Sequence, residues 1–170
     1  MQNDVSLRLA KRIWEVVEKE FESGELFEKV SPITKELLRF WFCEPFVSQR
    51  QFNFHKGQKQ SILNIIYLHE VLRINNVLEI YEQVAPDLLL ESDLFGVKET
   101  RNYLKESRYD LPKYLVKMAT GTGKTWVMHA LLIWQILNAK NEEEKSGRFT
   151  KNFLIVAPGL IVYDRLLDAY

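Results

Sequence analysis

Apolar positions recur at helical spacing over most of the first half of the chain. Leu7, Ala10, Ile13, Trp14, Val17 and Phe21 predict one face of a first helix, capped by Asp4 or Ser6 and stopped at Gly24. Ser31-Pro32 predicts a second start, with the serine as cap and the proline in the first turn. Ile33, Leu37, Phe40 and Trp41 follow on one side, and Pro45 closes the segment. The cluster Phe40-Trp41-Phe42-Cys43-Glu44-Pro45-Phe46 reads as the core of this helical part, with partner docking or base stacking as the other use of so many rings. Gln51 to His55 alternates like a short extended piece. Gln58 to Arg73 reads as a helix with Ile62, Ile65, Ile66, His69 and Leu72 on one face. Val77, Ile80, Tyr81 and Val84 continue the period until Pro86, Leu88 to Leu90 reads as buried helix or turn, and Val97 to Ser107 is weakly helical and polar.

The pattern then changes. Tyr114-Leu115-Val116-Lys117 is short and β-prone, and Phe153-Leu154-Ile155-Val156-Ala157 is a continuous apolar run of the kind a buried parallel strand shows. Between them Val127, Ala130, Leu131, Trp134 and Leu137 predict a helix to about Ala139. Met128, Leu132 and Ile133 are apolar as well, so burial on most sides is expected. Strand, helix and strand predict a right-handed βαβ unit with residues 114–117 and 153–157 side by side. Residues 141–148 read as a solvated loop, and Pro158-Gly159 turns into a further helix from about Leu160, with Leu166 and Leu167 toward the core. The fold class is therefore α/β: the start of a parallel sheet over residues 111–170, preceded by a helical region at 1–50 and by a glutamine-bearing helix with a helical insertion at 51–110.

The 170 residues can bury a core, and 46% apolar and 27% charged residues are ordinary proportions. No apolar run approaches the roughly 20 residues of a membrane span, and Met1 to Val5 shows no signal-peptide pattern. Cys43 is alone, which excludes an internal disulfide and fits a cytoplasmic protein. His55, His69 and His129 have no metal-ligand spacing and read as structural or surface residues. The net charge is zero, yet residues 1–100 carry 12 basic against 16 acidic side chains and residues 101–170 carry 11 against 7. The basic excess lies in the half that holds the glycines discussed next, where anionic ligands would be favoured.

Met118-Ala119-Thr120-Gly121-Thr122-Gly123-Lys124-Thr125 stands between a predicted strand and a predicted helix. Gly121 and Gly123 lack a Cβ, so the main chain there can curl and approach an anion closely. Consecutive amides around Gly121, Thr122 and Gly123 can make a concave nest, to which the helix beginning near Lys124 adds the positive end of its dipole. Lys124 would reach the β- and γ-phosphates of ATP, and Thr125 would offer its hydroxyl to Mg²⁺. Thr120, Gly121, Thr122, Gly123, Lys124 and Thr125 are thus the candidate nucleotide-binding set, with Lys124 also the candidate catalytic residue and Thr125 the metal ligand.

Gly-x-Gly-Lys-Thr without a glycine at Met118 is similar to motif I of superfamily 2 helicases and translocases, the DEAD/DEAH-like proteins. Met-x-Thr-Gly-Thr-Gly-Lys-Thr most resembles the motor (Res) subunits of type III restriction enzymes, with type I motor subunits as near neighbours. The resemblance implies a RecA-like P-loop domain, ATP and Mg²⁺ as cofactors, DNA as the tracked partner and a modification subunit as companion. It also implies an adenine-reading glutamine after an aromatic, a place that Gln58 fits after Phe52 and Phe54 and for which Gln60 is the rival. Val156-Ala157-Pro158 resembles motif Ia, which implies that Pro158, Gly159 and Arg165 contact the nucleic-acid backbone. Such motors need an Asp-Glu pair after an apolar strand, and no Asp-Glu dipeptide occurs in the 170 residues. The chain reads as the first third of a motor domain, truncated before that box, expected to bind ATP and to lack full hydrolysis. A non-hydrolysing nucleotide-binding or interaction module, or a fragment of a type I motor, is the alternative. A small P-loop kinase fits less well, because Met118 replaces its first glycine.

Overall fold

Seven α-helices and one π-helical turn carry the architecture of residues 5–90, 113–141, 147–156, 159 and 164, which the computed structural model describes. They are α1 (Val5–Ser23), α2 (Leu26–Lys29), α3 (Pro32–Phe42), α4 (Lys56–Ile66), a π-helical turn (Tyr67–Val71), α5 (Val77–Val84), α6 (Pro86–Leu90) and α7 (Lys124–Asn141). Helix α4 is the hub. It packs against α1 on one side and α7 on the other, while α3 also packs on α7.

The first helix buries Leu9, Ile13 and Val17, spaced four apart along one stripe, with Trp14 and Phe21 at its borders. Leu7, expected on that stripe, is 69% exposed, and Ala10 faces out too. At about 100° per residue, Leu9 shares the direction of Ile13 and Leu7 points well away from it. Helix α3 starts as its sequence predicts: Ser31 accepts a 3.0 Å bond from the Thr34 amide, and Pro32 stands in the first turn. The aromatic cluster divides. Trp41 and Phe42 turn inward against Phe54 and Phe21, whereas Phe40 and Phe46 stack on each other outside, under the Arg50 guanidinium 4.9 Å from the Phe40 ring.

Helix α4 buries Ile62, Leu63 and Ile66 completely, then widens into the π-helical turn. The wider turn directs Glu70 inward. There its Oε1 accepts from the Ser31 amide at 2.5 Å, and its Oε2 accepts from the Thr34 hydroxyl at 2.7 Å and the Trp134 indole N–H at 3.1 Å. Asn138 closes the cluster by donating to Thr34 Oγ1 at 3.0 Å and accepting from the Ser31 hydroxyl at 2.5 Å. A buried carboxylate with three donors is a satisfied group, so this cluster binds α3, the π-helical turn and α7 without leaving an orphaned charge. The indole of Trp134 is 1% exposed, and its ring packs edge-on against His69 and Phe149.

The α/β expectation separates into parts. Helix α7 forms where its sequence places it, but only one side is buried, along Val127, Ala130, Trp134 and Asn138. Trp126 is 64% and Ile133 44% exposed, against the expected burial on most sides. Residues 114–117 and 153–156 form no strand, and the described residues contain none. A run that is apolar on both faces needs a layer over each face, and here Leu115 is 93%, Leu154 89% and Val156 80% exposed. Ala157 and the further helix from Leu160 fall outside the described residues apart from Gly159 and Asp164, as do Val97 to Ser107. Leu88 is buried in α6, in keeping with its reading as helix, although Pro86 opens that helix as well as ending the pattern of α5. No described helix is long and apolar enough to cross a membrane.

Trp134→Phe keeps the ring packing but removes the indole donor from Thr34 and Glu70. A loss of about 1–3 kcal/mol is expected, read as a lower midpoint in a urea melt with an unchanged slope. Burial among Trp134, Tyr114 and Phe149 holds His69 below its ordinary value of 6.5. The folded chain therefore takes up the His69 proton later than the unfolded chain on acidification. The stability this supplies is complete above pH 6.5 and is lost as pH falls from there through the lower folded-state value. Melts between pH 8 and pH 5 should show a steeper acid-side loss in the native chain than in His69→Gln.

Candidate nucleotide-binding loop

The loop from Met118 to Thr125 leads into the N-terminus of α7. Gly121 and Gly123 both take left-handed conformations, with φ of 79° and 73°, which only glycine adopts without strain. The Thr122 amide donates to Ala119 O at 3.4 Å and its hydroxyl to the same oxygen at 2.7 Å, drawing the loop into a curl. Gly123 O accepts from the Trp126 and Val127 amides and so opens the helix. The amides of Gly123, Lys124 and Thr125 have no main-chain acceptor among the described residues. They are the free donors that any helix start leaves. Lys124 bends back over the curl, its Nζ 2.9 Å from Met118 O and 2.7 Å from Ala119 O. Thr120, Thr125 and Lys124 are exposed.

These features fit a phosphate tail. Nothing lies within 4 Å of the position a Cβ would take on Gly121, so that side of the curl is open. Three unsatisfied amides, one ammonium and a helix N-terminus supply positive potential on a short arc of chain. The Thr125 hydroxyl stands on the first turn of α7, where it could hold a divalent cation beside that tail.

Gln58 joins the loop, although 64 residues separate it from Thr122. It is 7% exposed. Its Nε2 donates to Thr122 O at 3.2 Å and Gly123 O at 3.3 Å, while its Oε1 accepts from the His55 amide at 2.9 Å. Any Cβ on Gly123 would displace the Gln58 amide, and the left-handed φ of this residue favours glycine on its own account. Gln60 lines a cavity of about 510 Å³ whose walls also include His55, Met118, Ala119 and Thr122.

His55, expected to be a structural or surface residue, also reaches the loop. It caps α4, accepting at Nδ1 from the amides of Gly57 and Gln58 at 3.2 and 3.4 Å, and its Nε2 lies 2.9 Å from Thr122 O. A histidine followed three residues later by glutamine is a capping-box spacing and was the available signal. Of the proposed nucleic-acid residues, Gly159 has a φ of 98°, whereas Pro158 and Arg165 fall outside the described residues.

Beside the loop, α7 and residues 114–118 enclose an apolar groove of about 550 Å³ lined by Val116, Met118, Val127, Leu131 and Phe153. Tyr114 borders it, and burial pushes its hydroxyl up to about 12. The groove lies against the face of α7 that the helical core leaves uncovered.

Comparison with known proteins adds one match. A family model described as "Type III restriction enzyme, res subunit" matches residues 51–170, which takes in α4, the loop, α7 and the segment at 153–156. Comparisons with curated proteins and with solved structures found no match.

Proposed function

The chain belongs to the type III restriction enzyme res subunit family, and from that premise we propose that it is the ATP-binding N-terminal part of a superfamily 2 DNA helicase or translocase. The observation that carries the reading is the loop itself: two left-handed glycines, three unsatisfied amides and Lys124 gathered at the start of α7. In this reading the amides of Gly123 to Thr125 hold the phosphates, Lys124 leaves its carbonyl partners to neutralise them, and Thr125 orients Mg²⁺. A Mg²⁺ held by Thr125 would supply neutralisation of phosphate charge. The apolar side chains at Leu115, Leu154 and Val156, with the groove lined by Val116 and Phe153, would be covered in a RecA-like sheet of which residues 114–117 and 153–157 are the first strands.

Pro158, Gly159 and Arg165 would meet the DNA backbone, and a modification subunit would supply sequence recognition. A cytoplasmic location goes with that role. Gln58 is the candidate adenine reader, yet both ends of its amide are engaged with His55 and the loop. Support for its role is therefore stronger for shaping the loop than for reading a base.

Without an Asp-Glu pair, the chain has no acidic group assigned to orient the attacking water. Binding without efficient hydrolysis is the expected behaviour. A non-hydrolysing nucleotide-binding or interaction module is the second reading, and a type I motor fragment would share the same loop.

Mg-ATP at about 100 times its Kd should raise the melting temperature of the chain by roughly 5–10 °C, and Lys124→Ala should abolish the shift. An unshifted native protein would remove nucleotide binding from either reading. Steady-state phosphate release by the 170-residue chain should fall far below a common enzyme turnover of about 10 s⁻¹. A rate near that value would show that the Asp-Glu pair is dispensable.

A further inference from the structure

We propose that His55 is a positioning residue for phosphate binding, fixing the direction in which the loop's amides point. The inference rests on the nucleotide-binding reading of the loop and goes beyond it by assigning a role to a side chain outside the motif. The argument begins with the tautomer. His55 Nδ1 accepts from the amides of Gly57 and Gln58, so the proton of the neutral ring is on Nε2. That Nε2–H faces Thr122 O at 2.9 Å and donates to it.

The second step is peptide geometry. In a trans peptide the C=O of one residue and the N–H of the next lie in one plane and point in opposite directions. The Thr122 carbonyl is drawn toward α4 by His55 Nε2 and Gln58 Nε2, so the Gly123 N–H is turned away from α4. The Gly123 carbonyl is held the same way by Gln58, which turns the Lys124 N–H outward as well. These two amides are among the three that have no main-chain acceptor. Gln58 cannot rotate out of this arrangement freely, because its Oε1 is occupied by the His55 amide. The cap of α4 and the aim of the loop are thus one hydrogen-bonded unit, and His55 belongs to both halves of it.

Two substitutions separate the halves. Asparagine is a strong N-cap but is too short to reach Thr122 O. Glutamine is a weaker cap whose terminal amide has the reach of Nε2. Binding of Mg-ATP and of inorganic tripolyphosphate to the 170-residue chain would be measured by calorimetry for the native protein, His55→Asn, His55→Gln and Lys124→Ala, with melting temperatures recorded without ligand. His55→Asn should melt close to the native protein and bind tripolyphosphate about tenfold more weakly, the loss one misdirected hydrogen bond causes. His55→Gln should melt lower and yet recover most of the affinity. Native affinity in His55→Asn, or affinities that simply follow the melting temperatures, would overturn the role of His55 and leave the loop assignment standing. A native protein that does not bind tripolyphosphate, or binds it no better than Lys124→Ala does, would overturn the loop assignment itself.

Discussion

The carboxylate of Glu70 is the tie on which the arrangement depends. It lies on the π-helical turn where two other pieces of chain meet it, and both send it donors: the start of α3 through the Ser31 amide and the Thr34 hydroxyl, and α7 through the indole of Trp134. Burying such a group is costly unless its acceptor sites are filled. Filled as they are, the bonds are stronger than they would be in water, and they demand one register of α7 against the N-terminal helices. That register sets where Lys124, fourteen places and a little over 20 Å of helix axis before Asn138, begins. The position of the glycine loop is therefore decided partly at the far end of its own helix.

The other anchor of the loop is the start of α4. His55 and Gln58 hold the carbonyls of Thr122 and Gly123 from one side, and the curl made by Thr122 and Ala119 holds the opposite side. Helix α4 also contributes Ile62, Leu63 and Ile66 to the core that supports α1 and α7. The N-terminal helical region and the glycine loop are consequently parts of one packed body, and the family match beginning at residue 51 cuts through its middle.

Much of this was legible in the sequence. Gly121, Gly123 and Lys124 announce their loop because few other uses exist for that spacing, and Ser31-Pro32 announces its helix because capping is local chemistry. Gln58 could be tied to the loop through the family resemblance, although the partners of its amide could not. Leu7 and Leu9 were harder to tell apart, since both are leucines and only tertiary packing chooses between neighbouring stripes. The role of Glu70 could not be read: a glutamate near the end of a helical pattern is ordinarily solvated, and nothing local reports that the helix widens there. The apolar runs at 114–117 and 153–157 mark where strands are expected, and none forms there among the described residues. Strand propensity describes a fit to a surface that neighbouring layers create, and over the described residues those layers do not cover Leu115, Leu154 or Val156.

The π-helical turn at Tyr67–Val71 makes chain length itself part of the design. Shortening that stretch by a single position would remove the extra residue that widens the turn and restore regular winding. The carboxylate would then lose its place opposite Ser31, Thr34 and the indole of Trp134, which would be left with one acceptor fewer. Among related chains, an alignment gap at this place would therefore mark a different internal wiring, even where every motif downstream reads the same.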